Sequence, residues 1–129
     1  MKDFVFTLLG KERPILKEGR WKEFNKRGEL ISVGTYMHGQ KHGHWKEYYD
    51  TGELMLEETY QHGVAHGSYT TYHPNGLRMS EGNYVNGSRE GYFKVYTEEG
   101  VHYKSLFFIN DVLMEEVNEI GEQSPSINL

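Results

Sequence analysis

With 129 residues, 36% of them hydrophobic and 14% aromatic, the chain has the length of one domain and is lean for a large closed core. It contains no cysteine, which excludes disulfides and thiolate chemistry, and no run near the roughly eighteen apolar residues that a membrane span needs. The net charge of -5 is gathered at the C-terminal end, where residues 97–129 carry Glu98, Glu99, Asp111, Glu115, Glu116, Glu119 and Glu122 against Lys104 alone; such an end repels nucleic acid and anionic lipid and attracts a basic protein. Phe4 to Leu9 is too short and too weakly flanked for a secretory signal, so a cytoplasmic location is expected.

In chain order, Phe4, Phe6 and Leu8 alternate with Val5 and Thr7, and residues 1–18 read as a capping strand. From Gly19 the chain repeats itself every 24 residues without an insertion. Gly19, Gly43, Gly67 and Gly91 form one column; Gly28, Gly52, Gly76 and Gly100 form a second; Gly39, Gly63 and Gly87 form a third that ends at Asp111. The first strand of each unit puts Trp21, Trp45, Tyr69 and Phe93 at one position and Phe24, Tyr48, Tyr72 and Tyr96 three residues later. Side chains alternate along a strand, so these two sets face opposite ways. Tips such as Asp50-Thr51-Gly52 and Pro74-Asn75-Gly76 follow, where Gly52 and Gly76 are expected to take positive φ. Second strands span about 29–36, 53–60, 77–84 and 101–108 and end at Tyr36, Tyr60, Tyr84 and Phe108. Gly34 and Gly82 interrupt them on the parity of Tyr36 and Tyr84, which marks close packing or a bend.

Residues 112–120 fit two readings. Val117 and Ile120 fall where the aromatic pair would be, a degraded strand; Leu113, Met114, Val117 and Ile120 also share a helical face, with Asp111 as a cap and Gly121 as a stop. A terminal strand is favoured, because an array needs a guarded edge and Glu115, Glu116 and Glu119 guard it. The Ser124-Pro125-Ser126 tail beyond Gly121 is expected to be mobile. The expected fold is all-β: one antiparallel β-meander of about ten strands, a curled sheet of hairpins forming a single domain over 1–129, with a cap at 1–18, four repeats at 19–111, and a C-terminal cap and tail at 112–129.

No residue set nominates catalysis. There is no GxSxG turn and no phosphate loop, and adjacent carboxylates such as Glu57 and Glu58 diverge along a strand instead of converging on a bond. The chain has seven histidines, among them His38, His42, His44, His62 and His66, but they recur because the tip recurs. They read as turn residues, with no metal or cofactor expected. Lys22, Lys46 and Lys94 make a weak basic stripe broken at Thr70, too little for nucleic acid beside the acids. Aromatics on both faces of one sheet exceed what one packed face needs. Trp45, Tyr49, Tyr69, Tyr72 and Tyr96 are therefore expected to face a protein partner, with Glu98, Glu99, Glu115 and Glu116 steering it.

The G-x-W-x-E-[FY]-x-x-x-G-x-L pattern, the Y-x-x-G-x-x-x-G link and the 24-residue step resemble the MORN repeat, in its bacterial variant, over about residues 19–111. The resemblance implies a binding module without catalysis, of the kind common among bacterial antitoxins and immunity-like proteins. Its partner would then be a basic toxin, such as a nuclease, covered and neutralised by direct contact. Longer arrays of the family resemble membrane-associated scaffolds, which makes a scaffold for protein or membrane association, with dimers formed by edge pairing, the alternative.

Overall fold

The structure, a computed structural model, describes residues 5–8 and 11–120, with side chains from Ile15 onward. Phe4, Gly121 and the Ser-Pro-Ser tail, which carry parts of the cap and tail expectations, lie outside the described residues. Among the described residues twelve strands follow one another: β1 (Val5–Leu8), β2 (Lys11–Pro14), β3 (Gly19–Phe24), β4 (Leu30–Met37), β5 (Gln40–Tyr48), β6 (Leu54–Gln61), β7 (Val64–Tyr72), β8 (Arg78–Val85), β9 (Ser88–Arg89), β10 (Gly91–Tyr96), β11 (His102–Ile109) and β12 (Val112–Asn118). Among the described residues there is no helix. From β3 to β12 the strands pair with their neighbours in sequence as one open antiparallel meander, β9 extending the pairing along β8. The all-β meander expected from the period is what forms.

Both ends differ in detail from the repeat logic. β1 pairs with β2 in a two-stranded sheet of their own, so the large sheet ends at β3 instead of at a cap strand drawn from residues 1–18. At the other end, residues 112–118 are strand β12 on β11 and the helical alternative does not form: a free strand edge offers backbone donors and acceptors that a short helix would leave unpaired.

Two turn types alternate because the sequence alternates them. His38 and Gly39 both take positive φ, as do His62 and Gly63, Asn86 and Gly87, and Asn110 and Asp111, the signature of two-residue type I′ hairpins that match strand twist. At the opposite ends of the strands, Gly52 (φ 94°) and Gly76 (φ 91°) close the longer tips as expected. Each type I′ tip is also tied to the preceding repeat: the amide of Gly39 donates to the carbonyl of Lys17, Gly63 to Lys41, Gly87 to Ala65 and Asp111 to Arg89, at 2.7–3.0 Å. These bonds satisfy tip amides that a lone hairpin would leave to water.

The core is one layer thick. Val33, Trp45, Phe93 and Phe108 are its buried apolar residues, with Ser32 and Ser105 buried beside them. Gly34 lies under the indole of Trp45 and Gly82 under the ring of Phe93, so the close packing expected at these two glycines is observed. The register breaks beside Gly34, between Val33 and Thr35 on β4 against Lys46 and His42 on β5, and such a bulge bends the sheet locally.

Candidate protein-binding surface

One face of the sheet carries a ladder of rings. The ring on the first strand of each unit meets the ring that ends the second: Trp21 with Tyr36, Trp45 with Tyr60, Tyr69 with Tyr84 and Phe93 with Phe108, at centroid distances of 5.8, 6.5, 5.4 and 5.4 Å, all edge to face. Tyr36–Trp45 (5.1 Å) and Tyr84–Phe93 (5.7 Å) join neighbouring pairs. Edge-to-face rings align a positive rim with a negative face, and each such pair adds about 0.5–1.5 kcal/mol beyond area burial. Over these pairs lie cations. Lys17 Nζ is 4.8 Å from the Trp21 ring and 4.9 Å from Tyr36, Lys41 Nζ is 4.6 Å from Trp45 and 4.8 Å from Tyr60, and the Arg89 guanidinium is 4.2 Å from Phe108. They occupy one repeat column, whose third member is Ala65.

The second column change falls in the same part of the face. Glu58 stands where Gly34 and Gly82 stand in their repeats, directly across from Tyr69, and accepts the Tyr60 hydroxyl at 2.7 Å. Burial, reinforced by that carboxylate, pushes the Tyr60 phenol far above its ordinary value, and burial raises Tyr69 and Tyr84 as well.

The opposite face is stitched by phenol–carboxylate bonds. Tyr72 donates to Glu57 at 2.7 Å and Tyr96 to Glu81 at 2.5 Å, a 24-residue echo, while Lys46 and Arg78 pair with the same two carboxylates at 3.7 and 2.6 Å. Burial and then the Glu57 bond push Tyr72 up to about 12; the Tyr96 bond, ahead of Arg78, holds Glu81 below the usual carboxylate range. At the tips, Tyr49 donates to the Tyr72 carbonyl at 2.6 Å and lines a shallow apolar cleft with Tyr48, Met55 and Pro74.

The residues singled out by sequence do not form one site. Trp45 is 2% exposed, with its indole N–H on the Thr35 carbonyl at 3.1 Å, so it is core and has no free face for a partner. Tyr69 belongs to the ladder, Tyr72 and Tyr96 to the opposite face, and Tyr49 to a tip. Glu98 and Glu99 are exposed at the last of the longer tips, whereas Glu115 and Glu116 are neighbours on β12 and so face opposite ways; Glu116 pairs with Lys104 at 2.7 Å. The histidines divide too. His38 and His62 are turn residues, but His42, His44 and His66 lie within β5 and β7, His66 accepting the Asn86 amide at 3.1 Å. Among the described residues no three metal-ligating side chains converge. Lys17, Lys41, Ala65 and Arg89 were not singled out from the sequence, and Glu58 was read there only as one of two adjacent carboxylates that diverge. Their columns are visible in the repeat alignment, but their place over the rings depends on the bulged register.

Residues 17–38, 41–62 and 65–86 match the family described as MORN repeat variant, just over half of the chain, and the fourth unit continues the same step through β10 and β11. No curated protein matches the chain. Among the described residues no helix is long and apolar enough to cross a membrane. Repeats of this kind point to a scaffold that binds protein or membrane.

Proposed function

This chain belongs to the MORN repeat variant family, and from that premise we propose that it is a non-catalytic protein-binding scaffold whose partner is a basic protein, a toxin that it neutralises by covering it. The observation that carries this reading is the ring ladder on a single-layer sheet, whose outer face no second layer covers among the described residues and whose tyrosines are only half buried. A rigid aromatic face offers contact area at low entropic cost. The acids of residues 98–122 favour a basic partner and disfavour anionic lipid.

Tagged chain passed through extract of its native cell should capture a basic protein, and titrating purified chain into that protein should abolish its toxic activity. Neutralising Glu98, Glu99, Glu115 and Glu116 together should slow association severalfold at low salt and leave dissociation nearly unchanged. Capture of no specific protein, together with binding to anionic vesicles, would overturn the reading in favour of a membrane scaffold. An association rate indifferent to the four-acid change would remove the steering role of the acidic end.

A further inference from the structure

Among the described residues four ring pairs share this face, and three cations attend them. In the column Lys17, Lys41, Ala65, Arg89, the lysines each place an ammonium within 5 Å of both rings of their repeat. Ala65 removes both stem and charge, and among the described residues leaves the Tyr69–Tyr84 pair, edge to face at 5.4 Å, without a cation of its own. Arg89 is close enough for both phenols to feel its charge, but it is held by Asp111 at 2.6 Å and lies over Phe108.

The same repeat gains a carboxylate. Glu58 replaces the glycine found at 34 and 82, faces Tyr69 across the β6–β7 pair, and among the described residues has no basic partner, only the Tyr60 hydroxyl. Two π faces with a carboxylate beside them form the environment that stabilises a partly desolvated ammonium or guanidinium. The internal repeats serve as the comparison: one step earlier, the equivalent rings already hold a cation.

We infer that Tyr69, Tyr84 and Glu58 form a site for a lysine or arginine side chain of a partner protein, whose charged head takes the place that Lys41 Nζ takes one repeat earlier. This rests on the protein-binding reading for the source of the side chain; the cation site itself can be tested without the partner. n-Butylammonium and n-propylguanidinium, titrated into the full chain, should shift the Tyr69 and Tyr84 ring resonances saturably and more than those of Tyr36 and Tyr60, whereas 1-butanol should not. Ala65→Lys supplies the missing cation internally and should abolish the response, with a melting temperature no lower than that of the parent. Glu58→Gln should weaken binding severalfold at low salt. Circular dichroism of both variants guards against loss by unfolding.

Equal shifts with 1-butanol, or an undiminished response in a folded Ala65→Lys chain, would overturn the site. Preference for tetramethylammonium over n-butylammonium would also overturn it, since the pair would then suit a quaternary headgroup. In native-cell extract, capture of a basic protein by the parent chain that is lost in Ala65→Lys supports the proposal. Equal capture by both removes the site but leaves the protein-binding reading intact, and capture by neither removes that reading.

Discussion

Gly34 and Gly82 are glycines for want of space, not for freedom of backbone. Neither takes a positive φ, yet a Cβ on Gly34 would stand 2.1 Å from Trp45 Cδ2 and one on Gly82 2.4 Å from Phe93 Cδ2. Trp45 cannot swing aside, because its ring is enclosed and its N–H is bonded to Thr35. Gly34→Ala should therefore destabilise by about 2–3 kcal/mol through overpacking of the layer. Gly28 provides the contrast: nothing lies within 4 Å of its missing Cβ, but its φ is 84°, so Gly28→Ala should cost only about 1 kcal/mol, from strain at the turn. Urea midpoints of the two variants separate the mechanisms. A loss at Gly34→Ala no larger than that at Gly28→Ala would mean that the layer has room for a Cβ at 34 and would remove the overpacking reading.

At the scale of the strands, stability depends on pH through the phenols that link one strand to the next. Tyr72 on β7 reaches Glu57 on β6, and Tyr96 on β10 reaches Glu81 on β8. Tyr72 is raised to about 12, by burial first and then by Glu57, whereas Tyr96 is raised chiefly by its bond to Glu81. An unfolded tyrosine ionises near pH ~10. Below that the contribution of Tyr72 is fully present; between about pH 10 and 12 the unfolded chain gives up a proton that the folded chain keeps, so stability falls as pH rises. Glu81 has the opposite sign: its depressed value stabilises the fold above the ordinary carboxylate range, and that share is lost on acidification. Tyr72→Phe should lower stability at pH ~8 by about 1 kcal/mol and flatten the alkaline decline, since a phenyl ring has no proton to lose. Denaturation series from pH ~8 to ~12 measure both effects. A decline as steep as that of the parent chain would show that the Tyr72 phenol does not carry the alkaline loss of stability.

For the whole molecule, the repeat step is the unit of tolerance. Among the described residues each strand of the large sheet pairs with its sequence neighbours, and each type I′ tip is hydrogen-bonded to the repeat before it. Deleting residues 43–66 joins His42 to Gly67, the same register as the natural His42–Gly43 junction, and removes one strand pair without opening a seam. The shortened chain should fold to a strand-dominated spectrum, with a lower urea midpoint and a smaller m-value, because less surface is exposed on unfolding. Deleting residues 43–62 instead breaks the step and should abolish the cooperative transition. Cooperative folding of both would mean that the step does not govern the assembly. The charge asymmetry also changes meaning at this scale. Glu116 is paired with Lys104, so neutralising it leaves that cation unpaired, but the charge changes by one as it does at Glu115, and the two single neutralisations should slow a basic partner's association to a similar extent.

The period, the two turn types and the strand alternation were legible in the chain because each is local: a tip glycine needs positive φ wherever it sits, and side chains alternate on any strand. The same locality made Gly34 and Gly82 readable as points of close approach. Which ring is buried was not readable, since Trp21 and Trp45 share a column and only Trp45 is buried, Trp21 lying on the strand that ends the sheet. Nor was the pairing of β1 with β2, which depends on what else competes for the edge of β3. The place of the cations over the rings follows from bulges that set how far one strand slides past the next, whereas the separation of Tyr69 from Tyr72 and Tyr96, and of Glu115 from Glu116, follows from alternation along the strand. Composition and period say which side chains alternate. Which of them meet is decided by the register between strands, and that is a property of the assembled sheet.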